Sequence, residues 1–179
     1  LDIYRQCVGT NEHVAISSTS SALGIVYSRL EEIHSAEEAF LNSVQICKKL
    51  FEPGHREITT LFYRLAHVAK KKGDEAQAIQ LYKHTLGLHS KYVNKYRNED
   101  ERADIFHELG ELYELRGEIG PAIKCCTEAI NILETSVRGS DATVLQELFM
   151  CVGKLYLFQS DVIGTMRSCV RASRMSSEG

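Results

Sequence analysis

The stretch Phe106–Ile130, FHELGELYELRGEIGPAIKCCTEAI, holds the reading on which the fold turns. Phe106, Leu109, Gly110 and Tyr113 fall three and four residues apart, Gly117 interrupts, and Ile123, Cys126 and Ile130 then resume the same period. That is the pattern of two amphipathic helices joined at a glycine. Working outward, Gly110 has counterparts at Gly24, Ala66 and Gly153, at steps of 42, 44 and 43 residues. Each is preceded by an apolar residue (Leu23, Leu65, Leu109, Val152) and followed three positions later by Tyr27, Ala69, Tyr113 and Tyr156. Ala36, Ala78, Ala122 and Thr165 come twelve residues past the small position, and Phe40, Tyr82, Cys126 and Cys169 four beyond those. A period of this size built from two helical segments marks stacked helical hairpins, each burying its apolar face only against its neighbours.

The small residues have a steric reason. A mid-helix glycine costs about 1 kcal/mol against alanine, so three at one repeat position point to helices crossing too closely for a larger side chain. Helix starts are signalled by Asn11, Asp100 and Asp141 as caps and by Glu12, Glu57 and Glu101 at the positive end of the helix dipole. Gly73 and Gly117 end two of the first helices where a left-handed residue is needed, with Glu31 and Ser160 in the matching places of the other two. The second helices are expected at about 35–52, 75–95, 119–137 and 161–176.

Composition excludes several classes. The chain has 179 residues, 44% hydrophobic and 25% charged, with two prolines, which suits a helical protein with a sizeable core. A formal net charge of −3 lacks the basic footprint of a nucleic-acid binder. No apolar run is long enough to span a bilayer, so direct membrane insertion is not expected. The six cysteines, at 7, 47, 125, 126, 151 and 169, show no CxxC and no disulfide-scaffold spacing, and read as reduced, packed thiols of a cytoplasmic protein. The seven histidines form no HExxH, and there is no Gly-rich phosphate loop or GxSxG, so neither catalysis nor a cofactor or metal is expected. Cys151 with His107, on adjacent first helices, is the nearest approach to a nucleophile and its base.

The order Leu-Gly-x-x-Tyr, then Ala, then an aromatic, then a further small residue (Ser43, Thr85, Ala129, Ala172) resembles the tetratricopeptide repeat over nearly the whole chain. The usual period is about 34 residues, and the longer one here resembles the variant of kinesin light chains. Gly54-His55 and Thr10-Asn11-Glu12-His13 sit just before first helices, as a histidine often does in that subgroup, and Ile3-Tyr4-Arg5-Gln6 reads as the end of a preceding helix. The resemblance implies an all-α, right-handed α-solenoid of stacked antiparallel hairpins. It divides one domain, 1–179, into a remnant helix at 1–8 and repeats at about 12–53, 55–97, 100–138 and 141–176, an excerpt of a longer protein with uncapped ends.

The same resemblance puts a peptide-binding groove on the inner face of the first helices. Carried onto this chain, that face comprises Ser21, Ile25, Ser28 and Arg29; Tyr63, Arg64, His67, Lys70 and Lys71; Asp104, His107, Glu108, Glu111 and Glu114; and Met150, Cys151, Lys154 and Phe158. A basic stripe thus precedes an acidic one. The two read either as a site for a partner segment with an acidic and a basic end or as solvated faces that pair with each other. The chain departs from the family where kinesin light chains carry paired asparagines, since Ala22, Arg64, Glu108 and Cys151 stand there. The expected function is a non-catalytic adaptor that takes a protein or peptide in its groove. The alternative is an architectural element that self-associates or stacks through its ends. Arg167, Arg171 and Arg174 share a helical face that reads as a solvated stripe or as a site for an acidic partner.

Overall fold

The computed structural model describes residues 2–91, 99–135, 142–160 and 162–177, and among these it contains eight helices and no strand. Two compact units are formed, Leu1–Arg97 and Asn98–Gly179. The first contains α1 (Asp2–Arg29), α2 (Ile33–Leu50), α3 (Arg56–Lys72) and α4 (Glu75–Lys91), and the second α5 (Glu99–Leu115), α6 (Ile119–Thr135), α7 (Ala142–Phe158) and α8 (Val162–Ser177). Within the first unit α1 packs on α2, α2 on α3 and α3 on α4; within the second, α5 packs on α6, α6 on α7 and α7 on α8. Ser17 meets Ser43 while Gly24 meets Phe40, so the partners of a hairpin run antiparallel.

The turns inside the hairpins share one device. Glu31, Gly73, Gly117 and Ser160 have positive φ, at 62°, 81°, 71° and 62°. All four positions were expected from the register. The residue after each of the first three donates its N–H five residues back, to the carbonyls of Tyr27, Ala69 and Tyr113 at 3.0, 3.0 and 2.8 Å. This is the Schellman closure of a helix end. The next helix starts at once, with Ala36, Ala78 and Ala122 donating to Glu32, Asp74 and Glu118. Asp74 also caps α4, its carboxylate accepting from the Gln77 N–H at 2.9 Å.

Gly24, Ala66, Gly110 and Gly153 are all buried, and Ala36, Ala78 and Ala122 are fully so. The close-packing expectation is met most strictly at two of the glycines. A Cβ on Gly24 would fall 2.7 Å from the Phe40 ring, and one on Gly110 would fall 2.6 Å from Sγ of Cys126. At Gly153 the nearest atom is Sγ of Cys169 at 3.5 Å, an ordinary contact. In the first unit Ala36, Phe40, Val44, Cys47, Ile58, Leu61, Leu65 and Val68 form one apolar cluster. A polar seam crosses α1 and α2 beside it: Ser17 and Ser43 lie 2.8 Å apart through their hydroxyls, Ser43 donates to the Ser17 carbonyl at 2.9 Å, and Ser17 Oγ lies 3.0 Å from Cys47 Sγ. Burial pushes the Cys47 thiol up, against the pull of its Ser17 hydrogen bond.

Three expectations about the chain's local structure are corrected. No separate helix ends at residue 8: α1 runs from Asp2 to Arg29 without a break, so Asn11 lies inside it and does not cap it. The segment has no proline, and Gly9 alone costs about 1 kcal/mol, too little to stop a helix that runs on to Arg29. By contrast Pro53-Gly54 does precede a start, and there His55 caps α3, its Nδ1 accepting from the Glu57 N–H at 3.3 Å while its ring stacks on Phe51. Asp100 falls within the first turn of α5, which opens at Glu99, and Asp141 lies outside the described residues. Finally, Cys169 is exposed, although its repeat counterpart Cys126 is buried. Cys126 is enclosed by α5 and α7, whereas among the described residues α8 packs on α7.

Candidate functional site: inner faces of the first helices

In the first unit the inner faces of α1 and α3 come together through two hydrogen bonds at the same repeat offset. Arg64 Nη1 donates to Ser21 Oγ at 2.8 Å, and Lys71 Nζ donates to the Ser28 carbonyl at 2.9 Å, each spanning 43 residues. One heptad separates the two donors, so they sit on one face two turns apart. Between and beside them an open cleft of about 420 Å³ is lined by Ile25, Ser28, Arg29, Phe40, Arg64, His67 and Lys71. Tyr63 and Lys70 are half-buried on α3. The Tyr63 and His67 rings meet edge to face at 4.7 Å, and His67 meets Tyr82 in the same way at 5.9 Å. The cleft thus has an apolar floor, Ile25 and Phe40, under a cationic rim.

In the second unit α5 and α7 build the equivalent cleft, of about 580 Å³. His107, Glu111 and Glu114 line it from α5, and Thr143, Gln146, Glu147, Met150, Cys151 and Lys154 from α7. His107 Nε2 lies 3.6 Å from Glu111 Oε1. Asp104 is exposed and Glu108 half-buried on α5, outside this lining. Cys151 Sγ lies 3.7 Å from Glu114 Oε2 and 3.9 Å from Cys126 Sγ. Cys151 and His107, the nearest approach to a nucleophile and its base in the sequence, both line the cleft, but the contacts of Cys151 are Cys126 and Glu114. The hydrogen bond from Cys126 holds the Cys151 thiol below its ordinary range, against burial and the neighbouring carboxylates. The same bond, with burial, pushes the Cys126 thiol up.

Of the eighteen residues carried onto the inner face, Ile25, Ser28, Arg29, Arg64, His67 and Lys71 line the first cleft and His107, Glu111, Glu114, Met150, Cys151 and Lys154 the second. Thr143, Gln146 and Glu147 were missed. They continue the face of Met150 and Lys154 toward the start of α7 at spacings of three and four, a signal that the helical period carries. A further cleft in the first unit, about 380 Å³, lies away from these faces, where Lys48 sits 5.1 Å over the Phe62 ring and Phe62 meets His84 edge to face. No three His, Cys, Asp or Glu side chains among the described residues could hold a metal ion. No described helix is long and apolar enough to cross a membrane.

The arrangement defines a class, helical-hairpin repeats in which, within each unit, the two first helices present side chains to a shared cleft. Residues 15–91 match the model of the tetratricopeptide repeat family, and that stretch is a tetratricopeptide repeat segment. The search of curated proteins finds no matching sequence. Among solved structures, BtubC (BKLC) from P. vanneervenii matches with a TM-score of 0.79 at 20% identity, over 90% of this chain. The chain spans 63% of that protein's chain. MamA matches with a TM-score of 0.69 at 16% identity, over 98% of this chain and 85% of its own. The nearly identical TPR-like repeats of a kinesin light chain candidate from Podosopora anserina match with a TM-score of 0.62 at 16% identity, over 90% of this chain and 87% of theirs. These likenesses establish the fold as that of the tetratricopeptide repeat solenoids, including the kinesin light chain type expected from the long period.

Proposed function

We propose that the chain is a cytoplasmic, non-catalytic adaptor that takes a partner protein's segment along the inner faces of its first helices. The observation that carries this reading is the pair of hydrogen bonds, Arg64 to Ser21 and Lys71 to Ser28, which brings α1 and α3 side by side around an open cleft. Tetratricopeptide and related repeats offer such extended surfaces to partners. Tyr63, Arg64, His67, Lys70 and Lys71 suit an acidic stretch of the partner, and Asp104, His107, Glu108, Glu111 and Lys154 suit a mixed or basic one. The test is capture of partners from lysate by the wild-type chain and by R64E/K71E, with circular dichroism on both. Loss of a captured protein with the helical signal retained supports the reading. Unchanged capture with a lowered melting temperature would instead mean that the charged stripes serve to pair with each other.

One observation favours the architectural alternative. Met166 on α8 is 64% exposed, whereas Ile123, the same repeat position on α6, is 9% exposed. Ile163 and Val170 flank Met166 on α8 and are exposed as well. Such a stripe suits a second copy or a neighbouring domain. Light scattering over a concentration series distinguishes the readings, since the architectural one requires a mass that grows with concentration and that M166E returns to the monomer.

A further inference from the structure

Cys126 and Cys151 stand on consecutive helices of the second unit with their sulfurs 3.9 Å apart. They differ in access. Cys126 is fully buried, its sulfur lodged in the space left by Gly110 on α5. Cys151 is half-buried and opens onto the cleft of about 580 Å³ beside Glu111, Glu114 and Lys154. One thiol therefore faces an open cleft, and the second lies buried behind it.

We propose that Cys151 is a site of oxidative modification: a small hydroperoxide entering the cleft oxidises Cys151, and Cys126 then closes a disulfide that ties α6 to α7. In the first step the Cys151 thiolate attacks one oxygen of the hydroperoxide. An S–O bond forms, the O–O bond breaks, and the departing alkoxide or hydroxide takes up a proton, leaving a sulfenic acid. In the second step the Cys126 sulfur attacks the Cys151 sulfur and gives up its proton. The S–S bond forms, the S–O bond breaks, and the leaving oxygen departs as water. Two thiols lose two electrons in all, and the hydroperoxide is reduced to an alcohol, or to water when it is hydrogen peroxide, with one further water released.

The surroundings fit both roles. The attacking species must be a thiolate with access, and Cys151 has the cleft and a hydrogen bond from Cys126 that favours its ionised form over the opposing effects of burial and of the Glu114 and Glu111 carboxylates. The resolving thiol must be within reach but shielded from the oxidant, and Cys126 is buried behind Cys151. The sulfurs must close from 3.9 Å to about 2.05 Å, which is within the travel of a cysteine side chain turning about its Cα–Cβ bond. In a reducing compartment such a bond is a transient mark that cellular thiols reverse.

The test uses the full chain carrying Cys125→Ser, so that any bond from the adjacent pair is assigned to Cys126. After treatment with hydrogen peroxide, quenching and alkylation, the protein should have lost two hydrogens and should accept two fewer alkyl groups, both reversed by a reductant. Tryptic mapping without reduction should join peptide 125–138 to peptide 139–154. With Cys126→Ala added, that link should vanish and a dimedone adduct should appear on Cys151. With Cys151→Ser instead, peptide 125–138 should remain unmodified. Circular dichroism checks each variant, and if Cys126→Ala fails to fold, the half-exposed Cys151→Ser decides. Bonds formed only between molecules, bonds made preferentially to Cys7, Cys47 or Cys169, or Cys151 still fully alkylated after oxidation would overturn the proposal.

Discussion

Gly110 stands so close to Cys126 that a single added methyl would lie 2.6 Å from the cysteine sulfur. The sulfur is fully buried and cannot swing into solvent. Gly110→Ala should therefore lower stability by about 1–3 kcal/mol through overpacking, despite alanine's better helix propensity. Gly153→Ala, at the same repeat position, places its methyl at an ordinary 3.5 Å from the nearest atom and should instead gain up to about 1 kcal/mol. Urea denaturation of the two variants checks the opposite signs. Equal shifts would show that the close approach at Gly110 is not what makes the position small.

The hairpin turns yield a second prediction. Glu31 and Ser160 hold φ at 62°, where an L-residue is disfavoured by roughly 1–2 kcal/mol. Glycine removes that strain but loosens the unfolded chain. Glu31→Gly and Ser160→Gly should each stabilise by about 0.5–1 kcal/mol, and Gly73→Ala, at φ 81°, should destabilise by about 1 kcal/mol. Melting curves of the three variants test this, and a destabilised Glu31→Gly would argue against strain as the governing effect there.

Binding should carry the signature of the charged rims. If Arg64 and Lys71 face an acidic partner segment, affinity falls as salt rises, because exposed pairs are screened within about 10 Å at 0.1 M. Titration calorimetry at two salt concentrations with a captured partner's segment should show that dependence in the wild type and a weaker one in R64E/K71E. An identical salt slope in both would remove these two residues from the interface.

Thiol reactivity should follow the ionisation of Cys151. Its thiol is held below the ordinary range first by the Cys126 hydrogen bond, with burial and the Glu111 and Glu114 carboxylates acting in the other direction. Alkylation of Cys151 should accordingly reach half its maximal rate at a pH below the usual thiol midpoint. Removing the donor with Cys126→Ala leaves only the terms that raise it, so the midpoint should move up and the rate at neutral pH should fall. A midpoint that stays in place in this variant would contradict the hydrogen bond's role.

The repeat was legible because its constraints are local. Gly24, Ala66, Gly110 and Gly153 could be aligned by spacing, and the same register located Glu31 and Ser160 as left-handed residues without a glycine to mark them. The continuity of α1 was not legible, because Asn11 and Glu12 look like a cap and its acidic neighbour wherever they occur. What decides whether a helix stops there is the absence of a breaker. Cys169 was misjudged for a related reason. A residue's burial depends on the helix packed over it, and the repeat register speaks only of the helix beneath. Arg64, His67 and Lys71 were placed on one inner face by the family resemblance, and they do line one cleft, but the Cys126–Cys151 contact joins a second helix to the following first helix, where the exact approach depends on crossing geometry that spacing does not encode.

The serine seam between α1 and α2 acts as a vernier. Two apolar helix faces can slide past one another by a turn, about 5.4 Å, and still bury much the same area, so hydrophobic packing alone sets their axial offset weakly. Ser17 and Ser43 answer each other through hydroxyl and carbonyl at 2.8 and 2.9 Å. A slip of one turn would strand both buried hydroxyls, at a cost of about 1–3 kcal/mol for each unsatisfied group. The penalty vanishes at one alignment only, so it discriminates among alignments that burial scores alike. The first hairpin thereby acquires a fixed axial reference, and since Ser21 and Ser28 ride on the same helix, the heights at which Arg64 and Lys71 find them are set by it.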